Sequence, residues 1–201
     1  FLGSHLTKAL LERSAEVIVL VKDAVDPQSI FAEGGLTQRV TIIRGRLEGM
    51  GYEVRDQLLG VEGRIYRNLI ATYGGEGAPL LVLGAHYDVF GAQPGADDNA
   101  SGVAGLLAVA GLLAEHRPTL PNRVELVAYT LEEPPFFRTE SMGSSVHARS
   151  LAARGVAVRA AIVLEMIGFY VDAPRSQRYP SRLLTLLYPD RADFIAVVGR
   201  F

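Results

Sequence analysis

Hydrophobic residues along the chain alternate between short continuous runs and longer stretches with helical spacing. Residues 80–83, 124–129 and 161–164 are rich in Val, Leu, Ile and Ala, as is typical of strands buried on both faces. Residues 101–115 and 144–154 have the spacing of helices, the first with Asn99 and Ser101 as candidate caps. Alternation of this kind predicts an α/β domain with a mostly parallel, mixed sheet flanked by helices.

The first part of the chain has its own pattern. Residues 4–13 predict an amphipathic helix and residues 17–21 a strand. From residue 49 onward, GMGYEV and RNLIATYGG are short strand candidates, and residues 74–79 predict a turn. The change in character places a domain boundary between residues 48 and 49.

Two segments of this first part, FLGSHLTKALLERSAEVIVLVKD and GLTQRVTIIRGRLE, resemble the dinucleotide-binding start of extended short-chain dehydrogenases and sugar epimerases. That family places a strand and a glycine-rich phosphate loop before this point, whereas only Gly3 is present here. We therefore expect residues 1–48 to be a Rossmann-like, epimerase-type fragment or fusion segment. An NAD-binding oxidoreductase fragment is the alternative.

Composition narrows the classes of function. The 201 residues, 49% of them hydrophobic, suffice for a domain with a buried core, and a net charge of −2 leaves no basic stripe for nucleic acid. No apolar run approaches the roughly 20 residues of a membrane span, and no signal-peptide pattern begins the chain. Cysteine is absent, so His and carboxylates are the strong metal ligands available. The cellular location stays open.

Polar residues follow each of the predicted core strands. His86 and Asp88 come after the first, Glu132 and Glu133 after the second, and Glu165 after the third. Ligands of open α/β sheets bind beyond the carboxyl ends of the strands, so these side chains should converge if the strands are neighbours. The loop PGADDNASG adds two acidic residues just before the long helix.

One imidazole with several carboxylates suits a hydrolytic zinc site, and it also admits manganese or cobalt. Two zinc ions about 3.5 to 4 Å apart could share a carboxylate and a water with a lowered pKa. A carboxylate beside the ions could carry the proton from that water to the leaving group, and Glu132 is the candidate. Asp88 could accept the second N–H of the His86 imidazole and orient the ring. Asp97 and Asp98 both remain candidates for the bridge.

Four segments together make the candidate chemistry specific. GAHYDVFGAQPGADDNASG, the Glu132–Glu133 pair, MGSSVHA and LEMIGF resemble the zinc exopeptidase family of bacterial leucyl aminopeptidases and glutamate carboxypeptidase, over residues 49–201. The resemblance implies two Zn²⁺ ions, one held by His86, Asp98 and Glu165 and the other by Asp98 and Glu133. It also implies that Glu132 is the general base.

The chain departs from this family in two places. Glu165 stands where the family more often has Asp, and family members complete the second metal site with a His beyond the strand that matches DFIAVVG. Because the chain ends at Phe201, we expect an incomplete second site and a fold incomplete at the C-terminus. His147, within MGSSVHA, matches a family motif without an assigned role.

The resulting hypothesis is a metal-dependent exopeptidase of aminopeptidase type, which hydrolyses peptide substrates with a zinc-activated water. An inactive or metal-binding remnant of such a peptidase is the alternative. Carboxypeptidase and cyclase chemistry, the substrate side chain and the oligomeric state are left open by the sequence.

Overall fold

The computed structural model describes residues 33–179, 181, 183–186 and 188–198, which fall into two compact units, residues 33–166 and 167–198. The predicted helix 4–13, the predicted strand 17–21 and the NAD hypothesis attached to them lie outside the described residues. The boundary between residues 48 and 49 stays a prediction. No described helix is both long enough and apolar enough to cross a bilayer.

The larger unit contains one open sheet of five strands among the described residues. The strand order is β1-β2-β4-β3-β5, with β1–β2 and β2–β4 antiparallel and β3–β4 and β3–β5 parallel. The expected mixed sheet flanked by helices is confirmed, with parallel and antiparallel pairs in equal number. The elements are α1 (Glu33–Gly49), β1 (Val54–Val61), β2 (Arg64–Tyr73), β3 (Leu80–His86), the π turn (Ala96–Ser101), α2 (Gly102–His116), β4 (Arg123–Tyr129), α3 (Gly143–Ala153) and β5 (Val158–Val163).

The parallel part of the sheet brings three strand ends together. His86, the last residue of β3, pairs with Tyr129, the last residue of β4, and Gly84 pairs with Val163 at the end of β5. Parallel strands in this register point their carboxyl ends at the same edge. The segments that follow β3, β4 and β5 therefore leave the sheet side by side, as the sequence predicted.

Successive residues of β4 face opposite sides of the sheet, which gives the unit two cores. Leu126 packs with Ile43 and Leu47 of α1 and with Leu106 of α2, whereas the next residue, Val127, packs on the other face. The second core is completed by Ile70, Leu80, Val82, Tyr129 and Leu151. Helices thus cover both faces of β4, the central strand.

Three boundaries differ from the sequence prediction. The segment GMGYEV was expected to be a strand, but Gly49 ends α1 and β1 begins only at Val54. This expectation was wrong because Ile43 and Leu47, spaced as on one face of a helix, pack into the core, and the helix that carries them continues to Gly49. In addition, β3 extends to His86, and β5 covers Val158–Val163 instead of residues 161–164.

The expectation that the third core strand is buried on both faces is also wrong. Every residue of β5 is exposed, including Val158 and Ile162 at 43% and 54%. The physical reason is position, since β5 pairs with β3 alone and forms an edge of the described sheet. An apolar composition therefore does not establish burial for a strand at an edge.

The smaller unit has little regular structure in the part that the structure describes. Val171 and Ala192 form an isolated antiparallel bridge, and Leu184–Leu186 is one turn of 3₁₀ helix. The hydroxyl of Ser176 donates to the carbonyl of Val171 and accepts the N–H of Ala192. Residues 193–198, part of the segment DFIAVVG, lie in no strand.

Candidate metal centre

His86 is the centre of the polar cluster at the carboxyl edge of the sheet. Its side chain is 2% exposed, and its Nε2 atom lies 3.1 Å from Oδ1 of Asp98, 3.4 Å from Oε2 of Glu165 and 3.7 Å from Oε2 of Glu132. None of these contacts has the alignment of a hydrogen bond, so Nε2 is a buried nitrogen without a hydrogen-bond partner among the described residues. The ring thus points at several carboxylates at once.

The turn before α2 decides which of two neighbouring acids joins the cluster. The Ser101 hydroxyl donates to the main-chain oxygen of Asp97 at 2.6 Å and lies 3.3 Å from its carboxylate. Asp98 has non-helical backbone angles, and its carboxylate reaches His86. Of the two candidates for the bridge, the structure therefore places Asp98 at the cluster and Asp97 beside Ser101.

Glu133 completes a group of possible ligands. His86, Asp98 and Glu133 each offer one ligand atom, and these atoms all lie within 4.8 Å of one another. The main-chain N–H of Glu133 donates to Oδ2 of Asp88 at 3.0 Å, which ties the loop after β4 to the segment after β3. A nitrogen and two carboxylate oxygens at this spacing match the donor set of a divalent metal site.

Asp88 supports the imidazole mainly through its backbone. Nδ1 of His86 lies 3.2 Å from the carbonyl oxygen of Asp88 and 3.5 Å from its carboxylate. We expected the carboxylate to accept this N–H; the carbonyl is the nearer acceptor, because the carboxylate also faces the Glu133 amide. Arg39 of α1 donates to the carbonyl of Tyr87 at 2.9 Å and so holds the same segment from the other side.

Asn99 is a site residue that sequence reasoning treated only as a helix cap. Its side chain is 1% exposed and donates to the carbonyl of Leu164 at 2.9 Å and to Oε2 of Glu165 at 3.2 Å. Its Oδ1 accepts the N–H of Gly102 at 3.1 Å and of Met166 at 3.2 Å. Asn99 therefore caps α2 and also positions Glu165. The sequence feature that could have indicated this role is the position of Asn99 inside PGADDNASG, directly after Asp98.

The cluster concentrates negative charge in a partly buried place. Burial raises the pKa of Glu132 to about 7, with Glu165, Asp88 and Glu133 adding to the shift. Burial also raises the pKa of Asp98 and of Glu133. For His86, burial lowers the pKa, but the carboxylates of Asp88 and Glu165 outweigh it and raise that pKa to about 10. All these shifts have one meaning, that the site favours added positive charge.

The residues present fit a divalent cation. The buried Nε2 of His86 lacks a hydrogen-bond partner in the part of the chain that the structure describes, and it faces carboxylate oxygens. Imidazole nitrogen with carboxylate oxygen and no thiolate is the ligand set of hydrolytic zinc or manganese sites. Among described residues, His86 is the one imidazole of the cluster, since His116 ends α2 and His147 binds Glu125.

Comparison with known proteins gives related sequences and folds. The profile of Peptidase family M28 matches residues 68–189. The Escherichia coli protein YfbL, described as uncharacterized, is 44% identical over 98% of this chain and 61% of its own length. Leucine aminopeptidase 2 of Trichophyton rubrum is 36% identical over 53% of this chain and 21% of its own. The chain thus spans less than two thirds of the length of these relatives.

A solved structure shares the fold. A Zn-dependent exopeptidase from Parabacteroides distasonis superposes with a TM-score of 0.52 at 19% identity, covering 77% of this chain and 65% of that one. At this identity the likeness concerns the fold, an open mixed sheet flanked by helices.

Proposed function

Because the chain belongs to Peptidase family M28, we propose that it is a metal-dependent exopeptidase that removes N-terminal residues from peptides. The observation that carries the proposal is the buried Nε2 of His86, which lacks a hydrogen-bond partner among the described residues and faces Asp98 and Glu165. The aminopeptidase subtype is supported by the similarity to leucine aminopeptidase 2.

Zinc is the proposed cation. His86, Asp98 and Glu165 would hold one ion, and Asp98 and Glu133 would hold a second, with Asp98 as the shared carboxylate. A zinc ion bound here supplies Lewis acidity, which polarises a peptide carbonyl and lowers the pKa of a water molecule to about 7. The mutually close ligand atoms of His86, Asp98 and Glu133 support cation binding in this cluster, and the 3.4 Å contact between Nε2 of His86 and Glu165 supports the part given to Glu165.

Glu132 is the proposed general base. Its carboxylate lies 3.7 Å from Nε2 of His86, farther than the carboxylates of Asp98 and Glu165, which leaves it beside the proposed ligands and free to transfer a proton. The carboxylate would take a proton from the attacking water and return it to the leaving amine. Asp88 holds the His86 ring and the Glu133 backbone, so its proposed role is to orient both.

Replacement of Glu132 by Gln tests this role. Glu132→Gln removes the proton acceptor with little change of shape, so we expect release of N-terminal residues from peptides to fall by about 100- to 10,000-fold. Zinc content, measured on the same purified protein, should not change. Glu140→Gln, at an exposed residue, is the matched control and should keep wild-type turnover. Turnover of Glu132→Gln within a few-fold of wild type would exclude Glu132 as the base.

A metal-binding chain without turnover is the second candidate. The observation that favours it is the group of His86, Asp98 and Glu133, which offers ligand atoms to a cation whether or not a reaction follows. Tight zinc binding without peptide hydrolysis, in wild-type protein, would select this alternative.

A further inference from the structure

Helix α3 is fastened to the end of β4 by buried polar groups as well as by apolar packing. The motif MGSSVHA supplies two of the residues concerned, Gly143 and His147, which stand four positions apart on the buried face of α3 together with Leu151. A third, Asn68, lies in β2 and is fully buried. None of the three belongs to the cluster around His86.

Asn68 holds both α3 and the segment after β4. Its Oδ1 accepts the main-chain N–H of Thr130 at 3.1 Å, and its Nδ2 donates to the carbonyl of Gly143 at 2.8 Å. The N–H of Gly143 in turn donates to the carbonyl of Thr130 at 2.9 Å. Both backbone polar groups of Thr130 are thereby fixed, two residues before Glu132 and three before Glu133.

Gly143 allows this close approach. A Cβ atom at residue 143 would lie 2.9 Å from the main-chain nitrogen of Thr130 and would also collide with the Thr130 carbonyl and the Asn68 side chain. Any larger residue would therefore push α3 away from the end of β4. The glycine of the motif is explained by packing of backbone against backbone.

His147 makes a second attachment one turn further along α3. Its Nε2 lies 3.0 Å from Oε2 of Glu125, and its Nδ1 lies 2.9 Å from the hydroxyl of Tyr129, with both His147 and Glu125 1% exposed. Tyr129 directly precedes Thr130, and its carbonyl accepts the N–H of Tyr87 at 2.9 Å. The side chain of His147 thus contacts two side chains of β4, and the second of these belongs to the residue whose carbonyl holds the segment after β3.

We propose that Asn68 and His147 are positioning residues that fix the backbone from which Glu132 and Glu133 extend. As far as it concerns turnover, this inference rests on the proposed function. Neither side chain contacts the ligand group, so each acts through Thr130 or Tyr129. A buried hydrogen bond is costly to break when one partner is left unpaired, which makes this arrangement of the loop rigid.

The test compares Asn68→Ala and His147→Ala with Leu151→Ala. Leu151 lies on the same face of α3, is buried and makes apolar contacts, so its replacement loosens the helix without freeing a polar group. All three variants should melt at lower temperature than wild type. Well below the melting temperature, only Asn68→Ala and His147→Ala should exchange the amide hydrogens of residues 130–133 faster.

Zinc binding and kinetics give two further measurements. Misplacing Glu133 should weaken the binding of Zn²⁺ alone, measured against a chelating dye, by about 10-fold in Asn68→Ala and His147→Ala. The kcat for peptide hydrolysis should fall by about 10- to 100-fold with KM little changed, because the misplaced groups act on the reaction and not on peptide binding. Leu151→Ala should stay within about 2-fold of wild type in both zinc affinity and kcat.

A milder variant distinguishes a local effect on the loop from unfolding of the protein. His147→Gln can keep the contact with Glu125 while losing that with Tyr129, and it should recover part of the lost zinc affinity. Equal effects of Leu151→Ala and the polar variants would overturn the proposal, as would unchanged amide exchange at residues 130–133. If wild type hydrolyses no peptide, the proposed function fails, and exchange and zinc affinity still decide the positioning role.

Discussion

His86 illustrates at the residue scale how burial and charge together indicate a ligand. Its ring is almost inaccessible, Nε2 faces Asp98, Glu165 and Glu132, and Nδ1 faces Asp88. One protonated imidazole carries one positive charge against several carboxylates. Asp88 and Glu165 raise the pKa of His86 despite its burial, and burial, followed by the neighbouring carboxylates, raises the pKa of Glu132. A divalent cation would balance these carboxylates and leave the imidazole neutral.

Stability of the cation-free protein should therefore depend on pH. The folded-state pKa of Glu132, about 7, and that of His86, about 10, both exceed their usual values of 4.5 and 6.5. A raised pKa gives a contribution to stability that is full below the usual value and is lost as pH rises through the folded value. Glu132 thus loses its contribution between about pH 4.5 and 7, and His86 between about pH 6.5 and 10.

Thermal melts in the presence of a chelator check this prediction. The melting temperature should fall as pH rises from about 6 to about 9, and added Zn²⁺ should reduce the fall because it replaces the protons. The Glu132→Gln variant, which cannot ionise at this position, should show a smaller decrease. A melting temperature that rises over this interval in chelator would contradict the charge balance inferred for the cluster.

The sequence identified residues whose chemistry is visible in their type. His86, Asp98, Glu132 and Glu133 carry ligand or acid–base groups and follow strands, and the structure brings them together. Asn99 was treated only as a cap and Asn68 was not singled out, because asparagine is common in caps, turns and surfaces. Their importance comes from burial and from contacts with residues distant in sequence, which hydrophobic patterning does not contain.

At the scale of elements, the strands that carry the site were predictable and the outer elements were not. Apolar runs located β3 and β4 because both are covered on two faces. The same apolar pattern wrongly predicted that β5 is buried, because β5 lies at an edge of the described sheet and is exposed. Helix α1 was missed because few apolar residues mark it, although Ile43 and Leu47 are fully buried.

Two glycines of α2 give a matched test of how closely this helix approaches the site. A Cβ at Gly102 would lie 2.6 Å from the carbonyl of Leu164, next to Glu165, whereas at Gly111 the nearest atom, Cε of Met50, would be 3.8 Å away. Gly102→Ala should lower the free energy of unfolding by about 1–3 kcal/mol and weaken zinc binding. Gly111→Ala should raise it by up to about 1 kcal/mol through helix propensity.

Urea denaturation of the two variants provides the measurement. Both replacements add the same methyl group to the same helix. Changes of opposite sign in the free energy of unfolding would therefore isolate the effect of close packing. A stabilised Gly102→Ala variant with wild-type zinc affinity would show that α2 does not constrain the end of β5.

At the scale of the whole molecule, the described site lies within one unit and joins segments far apart in sequence. His86 ends β3, Asp98 lies just before α2, and Glu133 and Glu165 follow β4 and β5, so these side chains meet only when the sheet has formed. The proposed zinc binding would therefore be linked to folding, and zinc at about 100 times its dissociation constant should stabilise the fold by about 2.7 kcal/mol. The smaller unit contributes none of these residues.

The most direct test of the central claim is a calorimetric titration of metal-depleted protein with Zn²⁺. Wild type and His116→Ala, which removes an exposed imidazole at the end of α2, should bind at least one zinc ion per chain with the same affinity. His86→Ala should lose at least about 10-fold in affinity, since it removes the one nitrogen ligand of the described cluster. Zinc binding by His86→Ala equal to that of wild type would contradict the proposed metal centre.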